Sequence, residues 1–162
     1  MGWKGFRSAE LAMWAIWLGA LWFMAIVVAP GLFKWLPRPE AGLVAGRLFY
    51  MLSVFSVAAS LVLVALSNTA GALNAGLKGN ALVLLVLAVG VVELAWMHPH
   101  MAHMRDAMSN ATGDELAALK ASFGNMHAVS SVLYSVKMIA VLLWGLDRYG
   151  VKAAPTGNTD AA

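Results

Sequence analysis

The chain has 162 residues, of which 61% are hydrophobic and 12% charged; that is about half the charge of an ordinary soluble domain. A mean hydropathy of +0.75 points to a bilayer rather than to water as its solvent. Eleven Lys and Arg against eight Asp and Glu leave a formal charge of +3, but the basic residues are scattered singly and form no stripe along a phosphate backbone, so nucleic acid is not an expected partner. With no cysteine, disulfides, iron–sulfur clusters, thiolate zinc sites and a cysteine nucleophile are excluded.

A membrane-spanning helix needs about 20 largely apolar residues to cross roughly 30 Å of hydrocarbon. Four runs meet that need. The first, residues 11–29, is uncharged, preceded by Glu10 and followed by Pro30-Gly31. Its length, its tryptophans and the lack of a small-x-small cleavage site mark it as retained rather than as a signal peptide. The second, 48–66, follows Arg47 and ends at Ser67-Asn68-Thr69; the third, 81–97, contains Glu93; the fourth, 127–146, contains Lys137.

Short connections make neighbouring helices antiparallel. The expected fold is therefore all-α, an integral membrane four-helix up-down-up-down bundle, forming one domain over 1–150 with both termini on one side. Phe33, Trp35 and Leu36, between Pro30 and Pro37, suit a segment lying in the interface. The Gly-rich stretch 71–79 reads as a loop, with Asn68, Asn74 and Asn80 as turn and capping residues. The longest connection, 98–126, contains the helix-forming run from Asp114 to Lys120, which predicts a surface helix. The polar tail 151–162 has no apolar periodicity and is expected to be disordered.

Lys4, Arg7, Lys78, Arg148 and Lys152 fall on the side of the termini, and Lys34, Arg38, Arg47, Arg105 and Lys120 opposite. The positive-inside count is thus balanced. The basic lead-in to the first helix favours cytoplasmic termini, in a multi-pass protein of the cytoplasmic (inner) membrane. Trp3, Phe6, Trp144 and Tyr149 mark one interface, and Phe33, Trp35, Trp96 and Phe123 the other.

Trp17-Leu18-Gly19, Val28-Ala29-Pro30-Gly31-Leu32-Phe33 and Leu36-Pro37-Arg38, followed by the block from Ala41 to Phe49, form a recognisable pattern. Pro99, Met104-Arg105-Asp106 and Phe123-x-x-x-His127-x-x-Ser130 continue it. On these motifs the chain resembles the small four-helix membrane proteins grouped as domain of unknown function 4149, the transmembrane protein 205-like family. The resemblance spans about residues 11–146 and implies a fold and a membrane location, without a biochemical activity. The His/Met-dense run from His98 to Met104, and Lys137, depart from that pattern.

All four histidines fall at one end of the molecule, and Met97, Met101, Met104 and Met108 recur at helical spacing. Imidazole and thioether together suit copper, so His98, His100, Met101, His103, Met104 and His127 are candidate soft-metal ligands. The ordinary alternative is an amphipathic interfacial segment with methionines packing and histidines facing water. A b-type haem between paired histidines is a second cofactor option, weakened by the absence of histidine from the first two helices.

Glu93 and Lys137 are the ionisable groups well inside the apolar runs, where charge is costly and marks functional suspects. A pair between helices three and four is expected, either as a relay or substrate-binding element or as a neutralised structural tie. Gly42-x-x-x-Gly46 permits close backbone approach, with Gly19 or Gly31 of the first helix as expected neighbours. Ser130, Ser131 and Ser135 are expected to return hydrogen bonds to their own helix, and Arg38 and Arg47 to meet lipid phosphates.

No Gly-x-Ser-x-Gly, phosphate-binding Gly-rich loop or His-Glu-x-x-His occurs, so no enzyme activity is expected. Three functions fit the residues: handling of a soft metal such as copper, an accessory subunit docked to a larger membrane complex or to its own copies, and a b-haem redox protein.

Overall fold

The computed structural model describes residues 3–69 and 79–150. The expected tail over 151–162 and nearly all of the loop 71–79 lie outside the described residues. Helix α1 (Trp3–Phe23) runs through a wide turn (Met24–Val28) into α2 (Ala29–Trp35), and α3 (Arg38–Thr69) returns. Helix α4 (Ala81–Val92) runs through a second wide turn (Glu93–Met97) into α5 (His98–Asn110), and α6 (Gly113–Tyr149) closes the bundle. The protein is thus an all-α membrane protein whose four continuous rods, of 31, 31, 30 and 37 residues, are each long and apolar enough to cross a bilayer.

Both wide turns have one cause. Pro30 and Pro99 stand at the starts of α2 and α5, where a proline inside a helix lacks an N–H and presses on the carbonyl one turn back. An extra residue in the turn before it relieves the clash and keeps the rod continuous. The backbone N–H of Ala29 accordingly donates to the Met24 carbonyl, and that of His98 to the Glu93 carbonyl.

The rods are longer than the apolar runs. Helix α3 begins at Arg38 rather than near residue 48, because Pro39 pre-sets the first turn and Glu40 faces the positive helix end. The surface helix expected near Asp114 is instead the opening of α6. No proline interrupts residues 113–149, and Asp114 and Glu115 lie in the first turn of α6. The whole connection between α5 and α6 is Ala111-Thr112, and Gly113 supplies the positive φ of 58° that starts α6.

Helices α1, α3, α4 and α6 form a closed ring, each packed on its neighbours in the chain, with α1 against α6. The core is built from Trp17, Leu21, Ala59, Leu63, Val83, Val86, Tyr134, Ala140, Val141 and Trp144. Large apolar side chains also cover the outside: Ile16, Ile26, Met51, Val132 and Ile139 are each more than half exposed. The polar groups Glu10, Ser53, Ser56, Ser60, Ser67, Asn80, Glu93 and Lys137 are buried. Such a surface faces lipid, not water.

The small-residue patch packs differently from expectation. Ala41 and Ala45 are the buried members, whereas a side chain at Gly42 or Gly19 would meet nothing within 4 Å. Gly46 faces the Arg105 guanidinium on α5, not the first helix.

Candidate functional site

The buried polar site assembles from four elements. Glu93 lies in the second wide turn, and its Oε2 accepts from Lys137 Nζ on α6 at 2.5 Å and from Ser53 Oγ on α3 at 2.9 Å. The same Ser53 hydroxyl is 3.2 Å from His98 Nε2. The wide turn is what lets Glu93 and His98 share a partner, since a residue five positions on falls one turn above rather than across the helix. Glu93 is 3% exposed and Lys137 1%.

Aromatic rings enclose the pair. Lys137 Nζ lies 5.4 Å from the centre of the Tyr134 ring, and the Tyr134 hydroxyl donates to the Leu21 carbonyl at 2.6 Å, tying α6 to α1. Phe49 meets Tyr134 edge-on at 5.1 Å, and Tyr50 meets His98 edge-on at 5.5 Å. Opposite charges within one hydrogen bond cancel their field at a depth where either alone is expensive.

From this pair a line of hydroxyls descends along α3. Ser53, Ser56, Ser60 and Ser67 are all buried, at 3% exposure or less. Trp17 Nε1 donates to Ser56 Oγ at 3.1 Å, Ser60 Oγ to the Ser56 carbonyl at 2.7 Å, and Ser67 Oγ to Asn80 Oδ1 at 3.0 Å. Ser53 to Ser67 spans about 21 Å at the helical rise, much of the hydrocarbon thickness. Sequence reasoning missed this stripe. Its signal was present as serines at i, i+3, i+7 and i+14 on one face of an otherwise apolar helix.

A second ion pair closes the opposite end: Arg148 Nε donates to Glu10 Oε1 at 2.5 Å. The Arg148 guanidinium lies 5.6 Å from the Trp144 ring centre. Trp14 Nε1 donates to the Val141 carbonyl at 2.9 Å, and Trp14 packs on Tyr149.

The His/Met run divides between two sides of α5. Met97 is buried and Met101, Met104 and Met108 are half-buried, whereas His100 and His103 are exposed. The exposed imidazoles of His100 and His103 and the packed thioethers therefore diverge. His98 turns inward to Ser53, His100 stacks on Trp96, and His127 stacks on Phe123. Among the described residues, no three His, Cys, Asp or Glu side chains gather where a metal ion could be held. Ser131 and Ser135 donate to the carbonyls of His127 and Ser131 on their own helix.

Four lipid-facing rods around a desolvated ion pair and a hydroxyl stripe define a multi-pass helical membrane protein with a polar interior. A family model described as "Domain of unknown function (DUF4149)" matches residues 12–110, and the chain belongs to that family. The match includes Ser53, Glu93 and His98 and ends before α6, which supplies Lys137. No curated protein and no solved structure matches the chain.

Proposed function

We propose that this protein moves protons through its membrane-embedded interior, with Glu93 as the carrier group. The observation that supports this reading is the sharing of Glu93 Oε2 between Ser53 and Lys137, with His98 on the other side of Ser53. His98 is thereby joined to Glu93 through one hydroxyl, and Glu93 directly to Lys137, away from bulk water. His98, once protonated on both ring nitrogens, gives its Nε2 proton to Ser53 Oγ as the Ser53 hydroxyl proton passes to Glu93 Oε2, leaving a neutral imidazole and Ser53 as it began. Neutral Glu93 no longer holds Lys137, whose ammonium releases a proton toward the stripe of Ser56, Ser60 and Ser67; the Glu93 proton then passes to the Lys137 amine and restores the ion pair. Those hydroxyls are about 6 to 11 Å apart along α3, gaps that entering water fills. On its motif resemblance and the basic lead-in of its first helix, we place the chain among transmembrane protein 205-like proteins of the cytoplasmic membrane.

The test is proton flux into liposomes containing the purified protein, driven by a potassium diffusion potential and read with an internal pH dye. Wild type should acidify the lumen, Glu93→Gln should lose most of the flux, and Ser135→Ala, on the exposed side of α6, should retain it. Equal rates for wild type and empty liposomes would overturn the proposal.

A soft-metal role is the second reading, and the half-buried Met101 and Met104 on the packed side of α5 favour it. Cuprous-ion titration addresses it directly. Tight binding by wild type that is lost in a Met101→Ala, Met104→Ala variant supports that role, and unchanged binding removes it.

A further inference from the structure

We infer that Arg105, flanked by Arg47, holds the phosphate group of an anionic lipid where the α5–α6 hairpin meets α3. Arg105 is half-buried, yet the ion pairs among the described residues are Glu93–Lys137 and Glu10–Arg148. No described carboxylate neutralises it. Asp106, its neighbour in sequence, is exposed and makes no ion pair with it.

The guanidinium is nevertheless held in place. It lies 5.6 Å from the centre of the Phe123 ring, and it fills the space that a side chain at Gly46 would take, with Nη2 3.1 Å from the position of such a Cβ. A side chain at Gly46 would push the guanidinium by a few tenths of an ångström. A guanidinium offers five donors in a planar fork matched to a phosphate's oxygens.

Position selects the ligand. Arg105 is seven residues beyond His98, about 10 Å along α5, which carries it from the buried pair to the headgroup layer. Arg47 follows Gly46 directly on α3, is exposed, and ends the apolar run of that helix. The Arg105 guanidinium at that level, with the charge of Arg47 one residue from its Gly46 neighbour, fits a phosphate that carries net negative charge in its lipid. A zwitterionic headgroup brings its own ammonium and gains less.

The test is native mass spectrometry of the delipidated protein titrated with phosphatidylglycerol or phosphatidylcholine. Wild type should retain one phosphatidylglycerol with an apparent affinity about tenfold above that of Arg105→Gln, the scale of a charge-assisted hydrogen-bond pair. Gly46→Ala keeps both charges but shifts the guanidinium slightly, and should weaken retention less than Arg105→Gln does. Equal retention by wild type and Arg105→Gln would overturn the inference, as would equal binding of phosphatidylcholine and phosphatidylglycerol. Competition by millimolar inorganic phosphate would assign the site to the phosphate group alone, and its absence to the whole lipid; either supports the phosphate contact. Arg105→Lys, which preserves charge, guards against loss of fold.

Discussion

Lys137 is fully desolvated and Glu93 nearly so, so the two must stand or fall together. Replacing either alone leaves an unpaired charge inside the bundle, at a cost of about 3–5 kcal/mol. Glu93→Gln or Lys137→Met should therefore sharply lower the melting temperature in detergent, and the double variant should recover most of it. If the double variant melts like wild type but carries no proton flux, the pair serves transport rather than anchoring. These two residues were legible in the sequence because a charge inside an apolar run is conspicuous. Ser53, Ser56, Ser60 and Ser67 were not, since serine barely lowers hydropathy and its spacing matters only once one face of α3 is known to look inward. The directions of the histidines were not legible either, because one residue step on a helix turns a side chain by about 100°: His98 turns inward to Ser53 while His100 and His103 are exposed.

At the scale of elements, the wide turn sets the geometry between Glu93 and His98. Pro99→Ala restores a backbone N–H and lets the turn tighten to ordinary helical spacing, which swings His98 away from Ser53. Proton flux should fall several-fold while the helical circular dichroism stays unchanged; unaltered flux would show that the turn is not needed. The glycines separate cleanly. A side chain at Gly145 would collide with the Trp14 ring, which is held by its bond to the Val141 carbonyl. Gly145→Ala should thus cost about 1–3 kcal/mol, as overpacking does. Gly42 is open, and Gly42→Ala should gain about 0.5–1 kcal/mol in thermal unfolding. The existence and order of the four helices were legible from apolar runs, and their lengths were not. A hydropathy run ends at the first charge, while the hydrogen-bonded helix continues into the headgroups until a proline or an extended residue stops it.

For the whole molecule, the arrangement is apolar outside and polar within, with successive rods antiparallel. A helix of 37 residues is about 55 Å long, so α6 projects well beyond the hydrocarbon at the α5–α6 turn. The cysteine-free sequence makes this easy to check. A single cysteine at Thr112 should react with a membrane-impermeant maleimide from one side of a sealed vesicle and one at Asn68 only from the other, whereas one at Leu143 should resist. Labelling of Thr112→Cys and Asn68→Cys from the same side would refute the antiparallel topology.

The two wide turns occupy matching places: Met24 opens one six residues before Pro30, and Glu93 opens the other six residues before Pro99. Each rod then hands over to its partner through an extended residue, Leu36 in one case and Ala111 in the other. The bundle is one hairpin plan used twice, in the manner of parallel repeats related about the membrane normal. In the first half the buried residue at that place is Met24, in the second Glu93. At this one place the near-twofold frame therefore differs between its halves, with a thioether in the first turn and a carboxylate in the second.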